Sequence, residues 1–238
     1  MKLVFLPGMD GTGILFEQIL ANIQGVDVSV LSLPKEGSQD YQSLAGNILK
    51  RLPNQNFILV AESFSGGIAA ILSQRKIPHL KGLIFVASFL SGPKKLGAHL
   101  ASFLPLHFLA HLPFSNVVYR SFFLGKGAGF KEIELFKKAI DEVPTCTLKL
   151  RLKVIAQAKY DGFTSNVPVV YIGATQDMLV PSGKRFEFVK AFKDITFSEL
   201  AGPHFILQAN PKESAAALIS AINLLSNKGH GTVNAPQQ

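Results

Sequence analysis

A serine can attack a carbonyl only if a base takes its proton and a third group holds that base in place. The sequence offers one such set. An apolar run, Phe57-Ile-Leu-Val-Ala61, leads into Glu62-Ser63-Phe64-Ser65, so Ala61 and Ser65 lie two residues before and two after Ser63. Small residues are needed there when a strand turns into a helix so tightly that a larger side chain would meet neighbouring backbone. The helix that follows aims its first amides and its positive dipole end at the serine oxygen, where negative charge develops during acyl transfer. Ser65 fits the same spacing within Ser63-Phe64-Ser65-Gly66-Gly67. Ser63 is preferred because it follows the apolar run at once, whereas Ser65 falls in the first helical turn. The bland role for either serine is a helix N-cap.

The partners come later in the chain. Asp177 follows the apolar run Val169–Ile172 in Gly173-Ala-Thr-Gln-Asp-Met-Leu-Val-Pro181, and His204 follows Ile195–Leu200 in Ala201-Gly-Pro-His-Phe205. Each has an ordinary alternative, an Asx-turn for the aspartate and a helix cap for the histidine. Together they place an acid and a base just past two strand ends. The first strand ends in Pro7-Gly-Met-Asp-Gly-Thr-Gly13. The nucleotide patterns G-x-x-x-x-G-K-S/T and G-x-G-x-x-G are both absent, and no cofactor is expected. His107 and His111 have helical spacing, but no third ligand accompanies them at zinc spacing, and no metal is expected.

These loops need a scaffold that brings strand ends to one rim. Leu3–Leu6, Val26–Leu31, Phe57–Ala61, Leu83–Ala87, Val167–Ile172 and Ile195–Leu200 read as strands buried on both faces. Between them, Gly13–Ile23, Tyr41–Leu52, Ser65–Gln74, Ser182–Phe192 and Lys212–Leu225 carry helical spacing. The alternation predicts a parallel α/β sheet with helices on both faces. Residues 88–166 break it with helical patterns punctuated by Pro93, Pro105, Pro113, Gly125, Gly127, Gly129 and Pro144. The expected organisation is a core of residues 1–87 and 167–226, a helical cap of 88–166, and a disordered polar tail of 227–238.

The cap carries unusual surface for an insertion. Phe103, Leu104, Phe108, Phe122 and Phe123 are among its large apolar residues, some packing on the body and the rest expected to line a substrate pocket. The net charge is +8, and residues 92–161 hold eleven Lys and Arg against five Asp and Glu. Such a field suits an anionic partner, a membrane surface or plain solubility. A nucleic-acid motif is lacking, and nucleic acid is not expected. The apolar stretches are too short to span a bilayer, Met1-Lys2 opens no secretory signal, and Cys146 is the single cysteine. A cytoplasmic protein without a transmembrane segment is expected.

The strand-loop LVFLPGMDGTGILF, the turn VAESFSGG, the segment GATQDMLVP and the loop GPHF together resemble the α/β-hydrolase superfamily over roughly residues 1–225. That resemblance implies a minimal six-stranded parallel sheet, order 2-1-3-4-5-6, with an inserted helical cap. It implies a serine hydrolase with Ser63 as nucleophile, Asp177 and His204 completing the triad in the order usual for these proteins. The backbone N–H groups of Met9 and Phe64 would hold the oxyanion. Within the superfamily, LPGMDGTG and ESFSG are similar to small bacterial esterases, including pimeloyl-acyl-carrier-protein methyl ester esterases of biotin synthesis. The implied substrate is then a small acyl ester, delivered by an acidic acyl carrier protein docking on the basic cap. Pro7-Gly8 stands where many members have His-Gly, and the first strand matches the one usually third. An acyl thioesterase or a general short-chain esterase or lipase uses the same machinery. A non-catalytic ligand-binding protein of this fold is the alternative of another class.

Overall fold

The computed structural model describes residues 1–92, 117, 119–125 and 127–228. Six strands pair in parallel in the order β2-β1-β3-β4-β5-β6, the order expected from the resemblance. They are β1 (Lys2–Leu6), β2 (Asp27–Val30), β3 (Phe57–Glu62), β4 (Leu80–Val86), β5 (Val169–Ala174) and β6 (Ile195–Leu200). Successive side chains of a strand leave opposite faces, so each central strand feeds two cores. Val4, Leu6, Leu59, Ala61, Phe85 and Tyr171 enter one core, together with residues of α2 (Tyr41–Leu49), α3 (Ser65–Ser73) and α6 (Arg185–Ala191). Leu3, Phe5, Ile58, Val60, Ile84 and Ile172 enter the other, with residues of α1 (Glu17–Asn22) and α8 (Pro211–Lys228).

The helices form where an apolar stripe has a face to cover. On α8, Leu218, Ala221, Ile222 and Leu225 recur at helical spacing and are buried against the sheet. Full burial of such side chains stabilises by about 1.5–3 kcal/mol each for the larger ones. α2 starts where the Asp40 carboxylate accepts the Ser43 amide at 2.8 Å. Gly67 on α3 lets that helix approach α2, because a Cβ there would lie 2.5 Å from the Tyr41 ring. Gly67→Ala is expected to destabilise the protein by about 2 kcal/mol through overpacking, seen as a lower urea midpoint at unchanged slope.

Two expectations need correction. β2 and β6 were expected to be buried on both faces, but they are the sheet edges and stay partly exposed. An edge strand has a neighbour on one side alone, and the polar residues in ITFSEL of β6 suit that position. α8 also continues through Lys228, so residues 227 and 228 are helical where the tail was expected to begin.

Between β4 and β5 the described residues form a π-helical turn (Tyr119–Leu124), α4 (Phe130–Asp141) and α5 (Thr145–Gln157). Tyr119, Leu124, Ile133, Phe136, Ala139, Ile140, Val143 and Leu148 from this stretch cluster with Leu15 from the body. Met9, Phe123 and Phe205 pack on the same cluster, which carries it to the carboxyl rim of the sheet. No helix among the described residues is long and apolar enough to cross a membrane.

Candidate active site

Three loops at that rim supply the site. The first follows β3. Ser63 has φ of 49°, a left-handed conformation rare for a residue with a side chain. The surroundings hold it there: its N–H donates to Val86 O at 2.9 Å, and its carbonyl accepts from the Gly66 amide at 3.0 Å. The turn is crowded, since a Cβ on Gly66 would come within 2.8 Å of Ser88 Cβ. Ser65 is fully buried and its hydroxyl donates to Pro7 O. Its oxygen is therefore tied to the loop after β1, while Ser63 faces the histidine.

The second loop follows β5 and the third follows β6. Backbone bonds tie them together, Thr175 N–H to Leu200 O at 2.9 Å and Gln176 N–H to Gly202 O at 2.8 Å. His204 ends in a short loop before α7 (Ile206–Ala209). Its Nε2 lies 2.8 Å from Ser63 Oγ, and its Nδ1 lies 2.7 Å from Asp177 Oδ2. The other carboxylate oxygen, Asp177 Oδ1, accepts the amides of Leu179 and Val180 at 2.8 Å each. Those two bonds hold the carboxylate in place. Burial acts to lower the His204 pKa, while the Asp177 charge and hydrogen bond, and the Glu62 charge, act to raise it. The net effect is upward. A hydroxyl, an imidazole and a fixed carboxylate thus form one continuous hydrogen-bonded line. Such a line can move a proton from Ser63 to His204 and hold the imidazolium that results.

Met9 lies in the loop after β1, and Phe64 opens α3 directly after Ser63. That loop is braced from α5. Arg151 is fully buried and donates through Nη1 to Met9 O and Asp10 O at 2.8 Å each. Its Nη2 donates to Pro34 O at 2.8 Å, and its Nε donates to Gln39 Oε1 at 2.9 Å. Gly11, at φ of 68°, passes so close that a Cβ would lie 2.3 Å from Arg151 Nη1. Arg151 was counted among the basic excess available to a partner, but its charge is spent inside the fold. Burial lowers its pKa to about 10, with Asp10 acting in the opposite direction, so it stays charged at neutral pH.

Of the residues expected to line a pocket, Phe123 is half-buried. Its ring lies 5.4 Å from Phe136 and 5.9 Å from Phe205, and Phe205 in turn lies 5.3 Å from the His204 ring. Phe103, Leu104 and Phe108 lie outside the described residues, as does the side chain of Phe122. His107 and His111 lie outside them too.

Sequence reasoning missed Arg151, Glu62 and Gln208. A signal for Arg151 was present: it falls three residues after Leu148 and four before Ile155, inside the buried stripe of α5. Glu62 stood in the serine pentad without an assigned role. Gln208 carried no signal, being one polar residue in a short apolar stretch.

No protein-family model matches the chain, and no curated protein matches it in sequence. Solved structures match it in shape. An esterase from Exiguobacterium antarcticum superposes with a TM-score of 0.79 at 13% identity, covering 94% of this chain and 92% of that one. A hydrolase from Oleispira antarctica gives 0.76 at 12%, covering 95% and 91%. An enol-lactonase from Burkholderia xenovorans LB400 gives 0.75 at 14%, covering 93% and 91%. Identities this low speak to architecture, and with the six-stranded parallel sheet they establish that the chain has the α/β-hydrolase fold.

Proposed function

We propose that the protein is a serine carboxylic ester hydrolase. The observation that carries this reading is the unbroken line Ser63 Oγ, His204, Asp177, with contacts of 2.8 and 2.7 Å in a buried setting. In the first half-reaction His204 Nε2 takes the Ser63 proton as Oγ bonds to the acyl carbon. The carbonyl oxygen becomes an oxyanion held by the Met9 and Phe64 amides. His204 returns the proton to the departing alkoxide, leaving an acyl-Ser63 ester. In the second half, water gives its proton to His204 and attacks the ester. The acid leaves and Ser63 recovers its proton.

The finer reading is cleavage of the methyl ester of a pimeloyl group borne on an acyl carrier protein, releasing methanol. The loops LPGMDGTG and ESFSG support it through their likeness to such esterases. Lys149 and Lys153, exposed one helical turn apart on α5, are suited to an acidic carrier. Phe123 and Phe205 would then face the acyl chain.

A fluorophosphonate probe tests the general reading. One adduct per chain is expected, on the peptide containing Ser63, and parallel assays with nitrophenyl esters should show turnover. Folded protein that takes no label and cleaves no ester would point to a non-catalytic binding protein. For the finer reading, the carrier-linked methyl ester should be cleaved faster than the free one at low salt, and the advantage should shrink as salt is added.

A further inference from the structure

The proposed chemistry leaves one buried titratable group beside the site without a task. Glu62 is the last residue of β3, next to Ser63, and is 2% exposed. Its Oε1 accepts from Gln208 Nε2 at 3.1 Å. Gln208 is also buried and lies four residues past His204, on α7. This bond therefore joins the chain just before the nucleophile to the chain just after the base.

The pair is short of one hydrogen. Glu62 Oε2 and Gln208 Oε1 are both buried, and neither has a hydrogen-bond partner among the described residues. Two buried acceptors left without a donor are costly. A proton on Oε2 supplies that donor. The amide N–H then gives to one carboxyl oxygen while the carboxyl O–H can give to the amide oxygen, the reciprocal pairing of an acid with an amide. Glu62 is faced by Asp10 from the loop after β1, which opposes its ionisation, and by His204, which favours it. Gly8 brings backbone only: a Cβ there would lie 3.6 Å from Oε2, and its amide acts to favour the charged form.

We infer that Glu62 is a proton-carrying positioning residue: as the neutral acid it locks the serine turn to the histidine loop through Gln208, and as the carboxylate it loosens that lock and adds a negative charge near His204. When the group ionises, the Oε2 proton passes to solvent water and the O–H bond to Gln208 is lost, leaving the charge beside His204. Burial, first, and Asp10 push the Glu62 pKa up to about 7, with Gln208, His204 and the Gly8 amide acting the other way. The Glu62 charge is in turn one of the influences that raise His204. The inference rests on the hydrolase reading only for its effect on rate.

The test compares the full chain with Glu62→Gln and Gln208→Leu. Infrared spectra of the parent should show a protonated carboxyl band that fades as pH rises through about 7 and is missing from Glu62→Gln. The Nδ1–H proton resonance of His204 should titrate about half a pH unit lower in Glu62→Gln, because a nearby negative charge is gone. The acid limb of kcat/KM should move with it. In Gln208→Leu the protonated carboxyl loses its amide partner, so its band should move to higher frequency. That variant carries the test if Glu62→Gln does not fold. No such band in the parent, or an unmoved His204 titration, overturns the inference. If Ser63→Ala abolishes esterase activity while the Glu62 spectra stay flat, this inference fails and the esterase reading stands. Shifts in both spectra from a protein that cleaves no ester would uphold the inference and overturn the esterase reading.

Discussion

Ser63→Ala is expected to lower kcat on the proposed ester substrate by roughly 10⁵–10⁶-fold, with KM little changed. The size of the effect comes from the covalent route: without Oγ no acyl-enzyme forms, and only oxyanion binding and substrate orientation remain. Adding His204→Ala to that variant should cost almost nothing more, because Nε2 would have no Oγ proton to take at 2.8 Å. Asp177→Asn should lower kcat by about 10⁴-fold while leaving the fold intact. The Leu179 and Val180 amides would still find Oδ1, but an amide nitrogen facing His204 Nδ1 would favour the wrong tautomer. Single-turnover kinetics on the three variants would check this. A Ser63→Ala protein retaining a tenth of the parent rate would show that the chemistry lies elsewhere.

Arg151→Met should produce the largest loss of stability, about 3–5 kcal/mol. The methionine fills much of the space but donates nothing, so Met9 O, Asp10 O, Pro34 O and Gln39 Oε1 all lose the donor they have. Measured against a typical total of 5–15 kcal/mol, that is a large share. Loss of the brace should also free the loop bearing the Met9 amide and lower kcat by up to about 10²-fold, the scale of an impaired oxyanion donor. Arg151→Lys should fall between the two, since one ammonium cannot reach four acceptors set around a planar fork. Urea unfolding and steady-state kinetics on the same preparations would separate the two effects. A methionine variant with parental midpoint and kcat would remove Arg151 from any such role.

The sheet was legible because its central strands are continuous apolar runs, and in a parallel sheet such runs have few other uses. The same cue misjudged β2 and β6, whose strands DVSV and ITFSEL mix polar with apolar residues as half-exposed edges do. The meeting of Ser63, Asp177 and His204 was legible because each lies in the loop that leaves a strand end, where loops converge. Arg151 was hidden by its type: a charged residue was read as surface although its spacing placed it among Leu148, Leu152 and Ile155. The bond between Glu62 and Gln208 spans 146 residues, and local patterns carry no trace of a contact so distant.

The guanidinium that reaches from α5 to Met9 and Asp10 also bears on engineering. Segments inserted into hydrolases invite exchange as a way to change substrate preference. In this chain a graft replacing residues 88–166 would take away the fastener of the loop on which turnover is proposed to depend. Chimeras that keep an arginine at position 151 should therefore stay active where otherwise matched ones without it do not.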